Sequence, residues 1–232
     1  MITAIVTPLK GEFSVIIHEL EKLRFKKRNL GLSKLEAFEF NDLDLIVVYG
    51  GHGKAQFGIQ VQYLLCQIPQ IELLVGAGVA GALSNSLSIG DIVVATEIVE
   101  HDFNLKLANR PLPRFTSDNQ TIDNLKRLLK TNLGFAIHFG AVASGDEDII
   151  TETRKQEVAQ LTGCIAVAWE GAGGARACKF SGKRYIELRA ISDTANDSAI
   201  VDFEMNLAIS MTNLAQLIIQ WQTKIGEAKY ST

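Results

Sequence analysis

The chain has 232 residues, of which 47% are hydrophobic and 21% are charged, so it has enough apolar material for a buried core and is not expected to be disordered. A net charge of −3 and scattered lysines and arginines argue against a surface that binds nucleic acid or anionic membranes. The three cysteines form no Cys-X-X-Cys pair, the N-terminus lacks a signal-peptide pattern, and no apolar run is long enough to span a membrane. We therefore expect a soluble protein of the cytoplasm.

Strand-like and helix-like patterns alternate in the first third of the chain. Residues 2–6 predict a short strand, and the apolar side chains between residues 13 and 23 recur on one face of a helix. The runs 35–40 and 43–49 flank an Asn-Asp turn, which indicates a hairpin. A glycine-rich break then precedes a helix predicted over residues 54–66.

Residues 76–81 match the GxGxxG fingerprint of dinucleotide-binding proteins. That fingerprint needs a crossover helix after it, but the polar stretch 82–91 is too short to provide one before the strand predicted at 92–99. We therefore interpret residues 76–81 as a tight turn between two strands that lines a pocket, and we predict no cofactor. A long loop is expected over residues 102–117, which contain two prolines.

The second half of the chain continues the alternation. Helices are predicted over residues 119–132 and 153–161, and strands over 136–144, 165–168 and 185–191. Apolar side chains spaced three and four residues apart then indicate one last helix near the C-terminus. No linker, repeat or low-complexity segment divides the sequence. We therefore predict one α/β domain over residues 1–232, with a mixed sheet and helices outside it.

Ligands of such sheets bind beyond the carboxyl ends of the strands. Several polar or glycine-rich features lie just past the end of a predicted strand and are expected to meet at one site: Glu12, residues 76–81, residues 144–148, Glu170 and Asp193.

Each of these carboxylates also has a structural interpretation. Glu12 could favour the N-terminus of the first helix, and Asp193 could cap a turn. Glu170 is harder to explain in that way, because its Ala, Gly and Trp neighbours offer no solvated face. The glycines after it would weaken a helix by about 1 kcal/mol each, which indicates close approach to a backbone or a ligand. His52 and His101 lack metal-ligand spacing, so no metal is predicted.

Four sequence blocks resemble the nucleoside phosphorylase superfamily. They are LLVGAGVAGALSNSLSIGDIVVATEIVEHD (73–102), ASGDEDII (143–150), WEGAG (169–173) and LRAISDTAND (188–197). Their order and spacing agree with the family over nearly the whole chain, and they are most similar to its hydrolytic branch, the methylthioadenosine/S-adenosylhomocysteine nucleosidases. The resemblance implies one α/β domain with a twisted mixed sheet, usually a homodimer, that cleaves the N-glycosidic bond of a purine nucleoside.

The resemblance implies two catalytic acids. The leaving purine needs a proton or a strong hydrogen bond at N7, and Asp193 matches the residue that supplies it. The oxocarbenium-like sugar must receive a water, and Glu12 matches the residue that polarises this water.

The resemblance also implies contacts to the sugar. Glu170 matches the carboxylate that binds the 2′- and 3′-hydroxyls, with the Trp169 backbone beside it. Arg189 stands where the family keeps an arginine near the water and the sugar, and Phe203 where an aromatic lines the 5′ end.

Three departures from the family pattern stand out. Val79 replaces a serine that helps to hold water or phosphate, and Asp148, followed by Ile149, replaces the aromatic residue that clamps the base. The usual Glu-Met-Glu run begins here with Ala168. An altered substrate or a weakened enzyme is compatible with these changes.

Four functions therefore compete. A purine-nucleoside hydrolase is the leading hypothesis, and a phosphorylase comes second because residues 76–81 contain neither an arginine nor a hydroxyl group for phosphate. A hydrolase for a futalosine-type nucleoside could exploit Asp148. The fourth is a nucleoside-binding protein without turnover.

Overall fold

The computed structural model describes residues 1–104, 107, 110–128 and 133–230. The strands are β1 (Ile2–Thr7), β2 (Arg28–Asn29), β3 (Ala37–Phe40), β4 (Leu45–Tyr49), β5 (Ile71–Ala82), β6 (Ile92–Glu100), β7 (Arg114–Thr116), β8 (Ile137–Ser144), β9 (Ala166–Ala168) and β10 (Arg184–Asp193). The α-helices are α1 (Lys10–Lys22), α2 (Lys54–Gln67), α3 (Asn119–Leu128), α4 (Glu152–Thr162), α5 (Gly171–Phe180) and α6 (Ala199–Tyr230).

These strands form one mixed sheet. Its order is β10-β6-β8-β9-β5-β1-β4-β3-β2, and β7 pairs with β6. β5 also pairs with β10, so β5, β9, β8, β6 and β10 close into a ring. The pairs β1–β4, β1–β5, β5–β10 and β6–β8 are parallel, whereas β3–β4 and β6–β10 are antiparallel. The predicted fold class, a mixed α/β sheet flanked by helices, is confirmed.

The glycine-rich stretch 76–81 is not the turn that the sequence predicted. It lies inside β5, because β1 pairs with Gly76 on one side and β10 pairs with the whole stretch on the other, which keeps the backbone extended. A Cβ at Gly78 would lie 2.6 Å from Glu12 Oε1, so glycine makes room for that carboxylate. No helix follows β5 before β6, as predicted, and this excludes the dinucleotide-binding arrangement.

Helices cover both faces of the sheet. One buried cluster contains side chains of α1 and α6, among them Phe13, Ile16, Met211 and Leu214. The other contains side chains of α2 and α5, among them Phe57, Val61 and Cys178. The predicted apolar face of the first helix is confirmed except at Leu23, which follows the end of α1 and is 56% exposed.

The glycines after Glu170 belong to α5 and let it pack directly on α2. A Cβ on Gly173 would lie 2.1 Å from the backbone oxygen of Lys54, and one on Gly58 would lie 3.1 Å from the oxygen of Gly173. Glycine weakens a helix, and packing of this kind offsets that cost. The prediction that these glycines mark the close approach of another backbone is confirmed, and this packing fixes Glu170 at the start of α5.

Two segments predicted from the sequence are only partly described. The loop expected over 102–117 contains β7, and its residues 105, 106, 108 and 109 lie outside the described ranges. The same holds for residues 129–132 at the end of the predicted helix 119–132. The hairpin prediction is confirmed by β3 and β4, which a short 3-10 helix joins. Within the part of the chain that the structure describes, none of the helices has both the length and the apolar character that a membrane crossing requires.

Candidate active site

A cavity of about 460 Å³ lies where the carboxyl ends of β1, β5, β8, β9 and β10 converge. Cavities of this size suit small molecules. Its lining includes the nine residues that the sequence assigned to catalysis or substrate binding: Glu12, Val79, Asp148, Ile149, Trp169, Glu170, Arg189, Asp193 and Phe203. Of residues 76–81 and 144–148, which were expected at the same site, only 79–81, 147 and 148 line the cavity. Residues as far apart in the chain as the first and the last helix therefore meet at one place.

Glu12 fits both interpretations that the sequence left open, a charge at the start of the first helix and a residue of the binding site. It lies in the first turn of α1, where Oε2 accepts a hydrogen bond from Leu9 N at 2.8 Å. Oε1 accepts one from Val79 N at 2.8 Å, which ties the carboxylate to β5. Burial raises the pKa of Glu12 to about 7, although Arg189 and these backbone N–H groups favour the charged form.

Glu170 lies two residues after the end of β9 and directly precedes α5, and its side chain lines the cavity. Oε1 accepts a hydrogen bond from Gly53 N at 3.2 Å, and Oε2 accepts one from Arg189 Nη2 at 3.2 Å. His52 Nε2 lies 4.0 Å from Oε1. The carboxylate is only 3% exposed, so these partners replace the water that a buried charge loses.

Arg189 connects the groups of the site from the middle of β10. Its Nε donates to Glu187 Oε1 at 2.7 Å, and its Nη1 donates to the backbone oxygen of Val79 at 3.2 Å. Burial alone would lower the pKa of Arg189, but the carboxylates of Glu187 and Glu170 hold that pKa above its ordinary value. The guanidinium therefore stays charged and links Glu170 to β5.

Asp193 is the last residue of β10 and is 8% exposed. Oδ1 accepts a hydrogen bond from Ala195 N at 2.9 Å, and Oδ2 accepts one from the Ser192 hydroxyl at 2.8 Å. Burial raises the pKa of Asp193 against the effect of these two hydrogen bonds. A Cβ on Gly81 would lie 2.8 Å from Oδ1, so this glycine of β5 leaves space for the carboxyl group.

Asp148 and Ile149 have different environments on the same loop after β8. Asp148 is exposed and yet lines the cavity, whereas Ile149 is buried among the apolar side chains of Val167 and Ala195. The charge of Asp148 contributes to the raised pKa of Asp193. The loop therefore contributes the apolar side chain of Ile149 and the exposed carboxylate of Asp148 to the cavity.

Two aromatic side chains complete the lining. The Trp169 ring packs on His52 with ring centroids 4.3 Å apart, and the Trp169 backbone oxygen accepts a hydrogen bond from the Ser144 hydroxyl at 2.6 Å. The same hydroxyl accepts a hydrogen bond from Ala172 N at 2.9 Å, which fixes the link between β9 and α5. Phe203 is partly buried on the first turns of α6.

Sequence reasoning missed Glu187 and Ser192. Glu187 is fully buried behind Arg189, and Ser192 donates to Asp193. The signal for Glu187 was available: two opposite charges spaced by two residues in an otherwise apolar strand share one face of that strand. Such a pair is expected to interact.

Metal binding has no support in the described ranges. No group of three or more His, Cys, Asp or Glu side chains there could hold a metal ion. His52 contacts Trp169, and the buried side chain of His101 lies 3.8 Å from Glu147. Burial lowers the pKa of His101, although nearby carboxylates oppose this effect.

Known proteins match this chain over nearly its whole length. A family model described as the phosphorylase superfamily matches residues 3–221. The aminodeoxyfutalosine nucleosidase of Helicobacter pylori (strain J99) is 27% identical over 220 residues, which cover 92% of this chain and 95% of that protein. The 5′-methylthioadenosine/S-adenosylhomocysteine nucleosidase of Bacillus subtilis is 24% identical over 225 residues, which cover 94% of this chain and 96% of that protein.

Solved structures have the same fold. The 5′-methylthioadenosine/S-adenosylhomocysteine nucleosidase of H. pylori with butyl-thio-DADMe-Immucillin-A matches with a TM-score of 0.87 at 24% identity, over 96% of this chain and 97% of that one. The nucleosidase of Neisseria meningitidis in complex with methylthio-immucillin-A matches with a TM-score of 0.84 at 24% identity, over 94% and 97%.

Proposed function

Because the chain belongs to the phosphorylase superfamily, we propose that it is an N-ribosyl hydrolase that cleaves the N-glycosidic bond of a purine nucleoside with water. The family membership confirms the resemblance seen in the sequence, and the relatives compared above are nucleosidases. The observation that carries the proposal is the meeting of three buried carboxyl groups in one cavity, those of Glu12, Glu170 and Asp193.

Glu170 binds the ribose in this proposal. Cleavage builds positive charge on the sugar, and a carboxylate hydrogen-bonded to the 2′- and 3′-hydroxyls stabilises that charge in a cavity with little water. The N–H of Gly53 and the guanidinium of Arg189 hold Glu170 in place before substrate arrives, which avoids reorganisation during the reaction.

Asp193 and Glu12 divide the proton transfers. Asp193 donates a proton to the leaving purine, which its raised pKa supports because the acid must start protonated. Glu12 accepts a proton from the attacking water, and a pKa of about 7 keeps a large fraction of this base ionised at neutral pH. One carboxyl group thus acts as the acid and the other as the base.

The remaining residues of the cavity lining contact the two ends of the substrate in this proposal. We assign the base end to Asp148 and Ile149, because Asp148 interacts electrostatically with Asp193, and the 5′ end to Phe203 on α6. Trp169 lies beside Glu170 and closes the sugar site with its backbone. An exposed carboxylate at the base end favours a base or substituent that offers hydrogen-bond donors.

Hydrolysis is favoured over phosphorolysis by the charges of the site. Among the described residues that line the cavity, the basic side chains are Arg189 and His52. Arg189 is already bound to two carboxylates, and Val79 offers no hydroxyl. Lys54, the first residue of α2, is paired with Glu100 and Asp102. A phosphate dianion would therefore meet mainly carboxylates.

We expect free base and free ribose derivative from 5′-methylthioadenosine, S-adenosylhomocysteine, aminodeoxyfutalosine or adenosine, at a rate that phosphate does not change. Chromatography of the products with and without phosphate measures this. A sugar 1-phosphate as the main product would establish phosphorolysis. Tight binding of a nucleoside without any release of base would identify a binding protein.

Glu170→Ala should lower kcat by roughly 10–100-fold, because a hydrogen bond to a charged group is worth about 1.5–3 kcal/mol and this one strengthens as charge develops. The measurement is kcat and KM for a ribonucleoside and its 2′-deoxy counterpart. The intact protein should prefer the ribonucleoside, and the variant should lose that preference. Glu170→Gln is the matched control for shape, and it should share the loss of kcat. An increase in KM alone would make Glu170 a binding residue only.

The assembly and location of the protein are further parts of this proposal. We propose one domain over residues 1–232, because a single sheet runs from β1 to β10 and α6 packs on it. We propose a homodimer, since α2 and α5 expose Ile59 and Phe180 beside their mutual contact. Three free cysteines suit the reducing cytoplasm. Sedimentation equilibrium of the purified protein tests the dimer, and a monomer at micromolar concentration would refute it.

A further inference from the structure

Glu187 is a buried carboxylate that the proposed reaction does not use. It lies in the middle of β10 with no exposed surface, and its Oε1 accepts a hydrogen bond from Arg189 Nε at 2.7 Å. Its Oε2 has no hydrogen-bond partner among the described residues. A buried ion pair is by itself weak support for stability, because both charges lose their hydration. The position of Glu187 therefore calls for a role other than holding the fold together.

The contacts of Arg189 indicate this role. Its bonds to Glu170 and to the Val79 oxygen are each 3.2 Å long, whereas its bond to Glu187 is 2.7 Å. Glu187 Oε1 also lies 2.5 Å from Nη2, so Glu187 holds the Nε–Nη2 edge of the guanidinium most tightly. Nη2 contacts Glu170 as well, and Nη1 contacts the Val79 oxygen. A planar guanidinium that is fixed at Nε has fixed Nη directions as well.

Gly171 makes room for Glu187. A Cβ on Gly171 would lie 2.2 Å from Glu187 Oε2, so only glycine at this position leaves the carboxylate where it is. Gly171 is also the first residue of α5, where the helix dipole favours a negative charge. The N-terminus of α5 thus provides a compartment for Glu187 next to Glu170.

We propose that Glu187 is a positioning residue for the sugar site: it orients Arg189 so that Arg189 holds Glu170 in the geometry that binds the ribose. This inference rests on the proposed function for its effect on turnover, but the orientation of Arg189 is testable without turnover. It also gives a physical reason for the paired charges in an otherwise apolar strand.

The test compares Glu187→Ala, which removes the carboxylate, with Glu187→Gln, which keeps an oxygen that can accept from Arg189 Nε. We expect Glu187→Ala to lower kcat by about 10–100-fold with a smaller change in KM, because small displacements of a catalytic group are costly. Glu187→Gln should recover much of this loss. Glu39→Gln, which removes a remote surface ion pair with Arg28, is the matched control and should leave kcat unchanged.

Two measurements separate this inference from the proposed function. The first is hydrogen exchange of the Arg189 Nε–H by NMR, with the resonance assigned by its loss in Arg189→Lys. We expect slow exchange in the intact protein and in Glu187→Gln, and fast exchange in Glu187→Ala. The second is calorimetric binding of a C-nucleoside analogue of adenosine, which cannot be cleaved. Binding should weaken in Glu187→Ala and recover in Glu187→Gln.

Gly171→Ala provides an independent test, because it displaces the carboxylate without removing it. Introduced alone, Gly171→Ala should lower kcat and speed the exchange of the Arg189 Nε–H. Combined with Glu187→Ala, it should change kcat and this exchange little further. Unchanged Arg189 exchange in Glu187→Ala, or additive effects of the two substitutions, would overturn the inference. If the intact protein released no base, the proposed function would fail, and the exchange and binding data would still decide this inference.

Discussion

Glu12→Gln is expected to lower kcat by about 10²–10⁴-fold, the usual contribution of a general base. The amide keeps the size of the side chain, but it cannot accept a proton from water. In the intact protein kcat should rise with pH through about 7, because burial holds the pKa of Glu12 there and the base must be ionised. The variant should lose this rise. Steady-state kinetics between pH 5 and 9 measure both effects.

A binding measurement and a matched variant serve as controls for the prediction on Glu12→Gln. The C-nucleoside analogue should bind Glu12→Gln about as tightly as the intact protein, because the proposed mechanism places Glu12 against the attacking water rather than against the nucleoside. Glu19→Gln changes a second buried glutamate of α1 outside the cavity and should leave kcat unchanged. If Glu12→Gln kept its activity, the carboxylate would serve only the start of α1.

The raised pKa of Glu12 also predicts how the stability of the protein depends on pH. A carboxyl group whose pKa rises on folding contributes stability at low pH, and that contribution is lost as pH rises toward the folded value. For Glu12 the loss runs from about 4.5 to about 7. Glu12→Gln should therefore flatten the pH dependence of the free energy of unfolding over this range, as measured by denaturant titration.

Asp193→Asn should abolish most turnover of adenine nucleosides, by about 10²–10⁴-fold, because an amide cannot protonate the leaving purine. Its oxygen can still accept the hydrogen bond from Ala195 N, so the end of β10 should keep its shape. Burial raises the pKa of Asp193, and the contribution of this acid to kcat is lost as pH rises through that pKa. Together with Glu12 this gives a bell-shaped profile, whose two limbs belong to the pair of acids.

An N7-methylated purine nucleoside provides the sharpest control for Asp193. Its base leaves as a neutral molecule without protonation, so Asp193→Asn should cleave it nearly as fast as the intact protein does. Asp91→Asn changes an aspartate that is equally buried, at 8% exposure, but lies outside the cavity lining, and it should not alter kcat/KM. Equal losses on the methylated and the ordinary nucleoside would remove the acid role from Asp193.

The order of the elements and many residues of the cavity, although not Ser192, could be predicted from the sequence. Hydrophobic periodicity repeats over a few residues and reports the local backbone, so the alternation of strands and helices was readable without any contact information. Glu12, Glu170 and Asp193 were found because carboxyl ends of strands converge in sheets of this class. The glycines after Glu170 were correctly interpreted as a sign of close approach. The missing side chain of glycine is the local cause of both effects, since it weakens the helix and also leaves room for a neighbouring backbone.

Only the tertiary structure decided how these groups are paired and charged. Residues 76–81 have the composition of a turn, but β10 pairs with them along their whole length and makes them part of a strand. Glu12 reaches a backbone N–H that is 67 residues away, and Arg189 reaches Glu170 across 19 residues. Closure of the sheet sets these distances and buries Glu12 enough to raise its pKa. Burial and partners across the sheet depend on the whole fold, and local sequence patterns do not encode them.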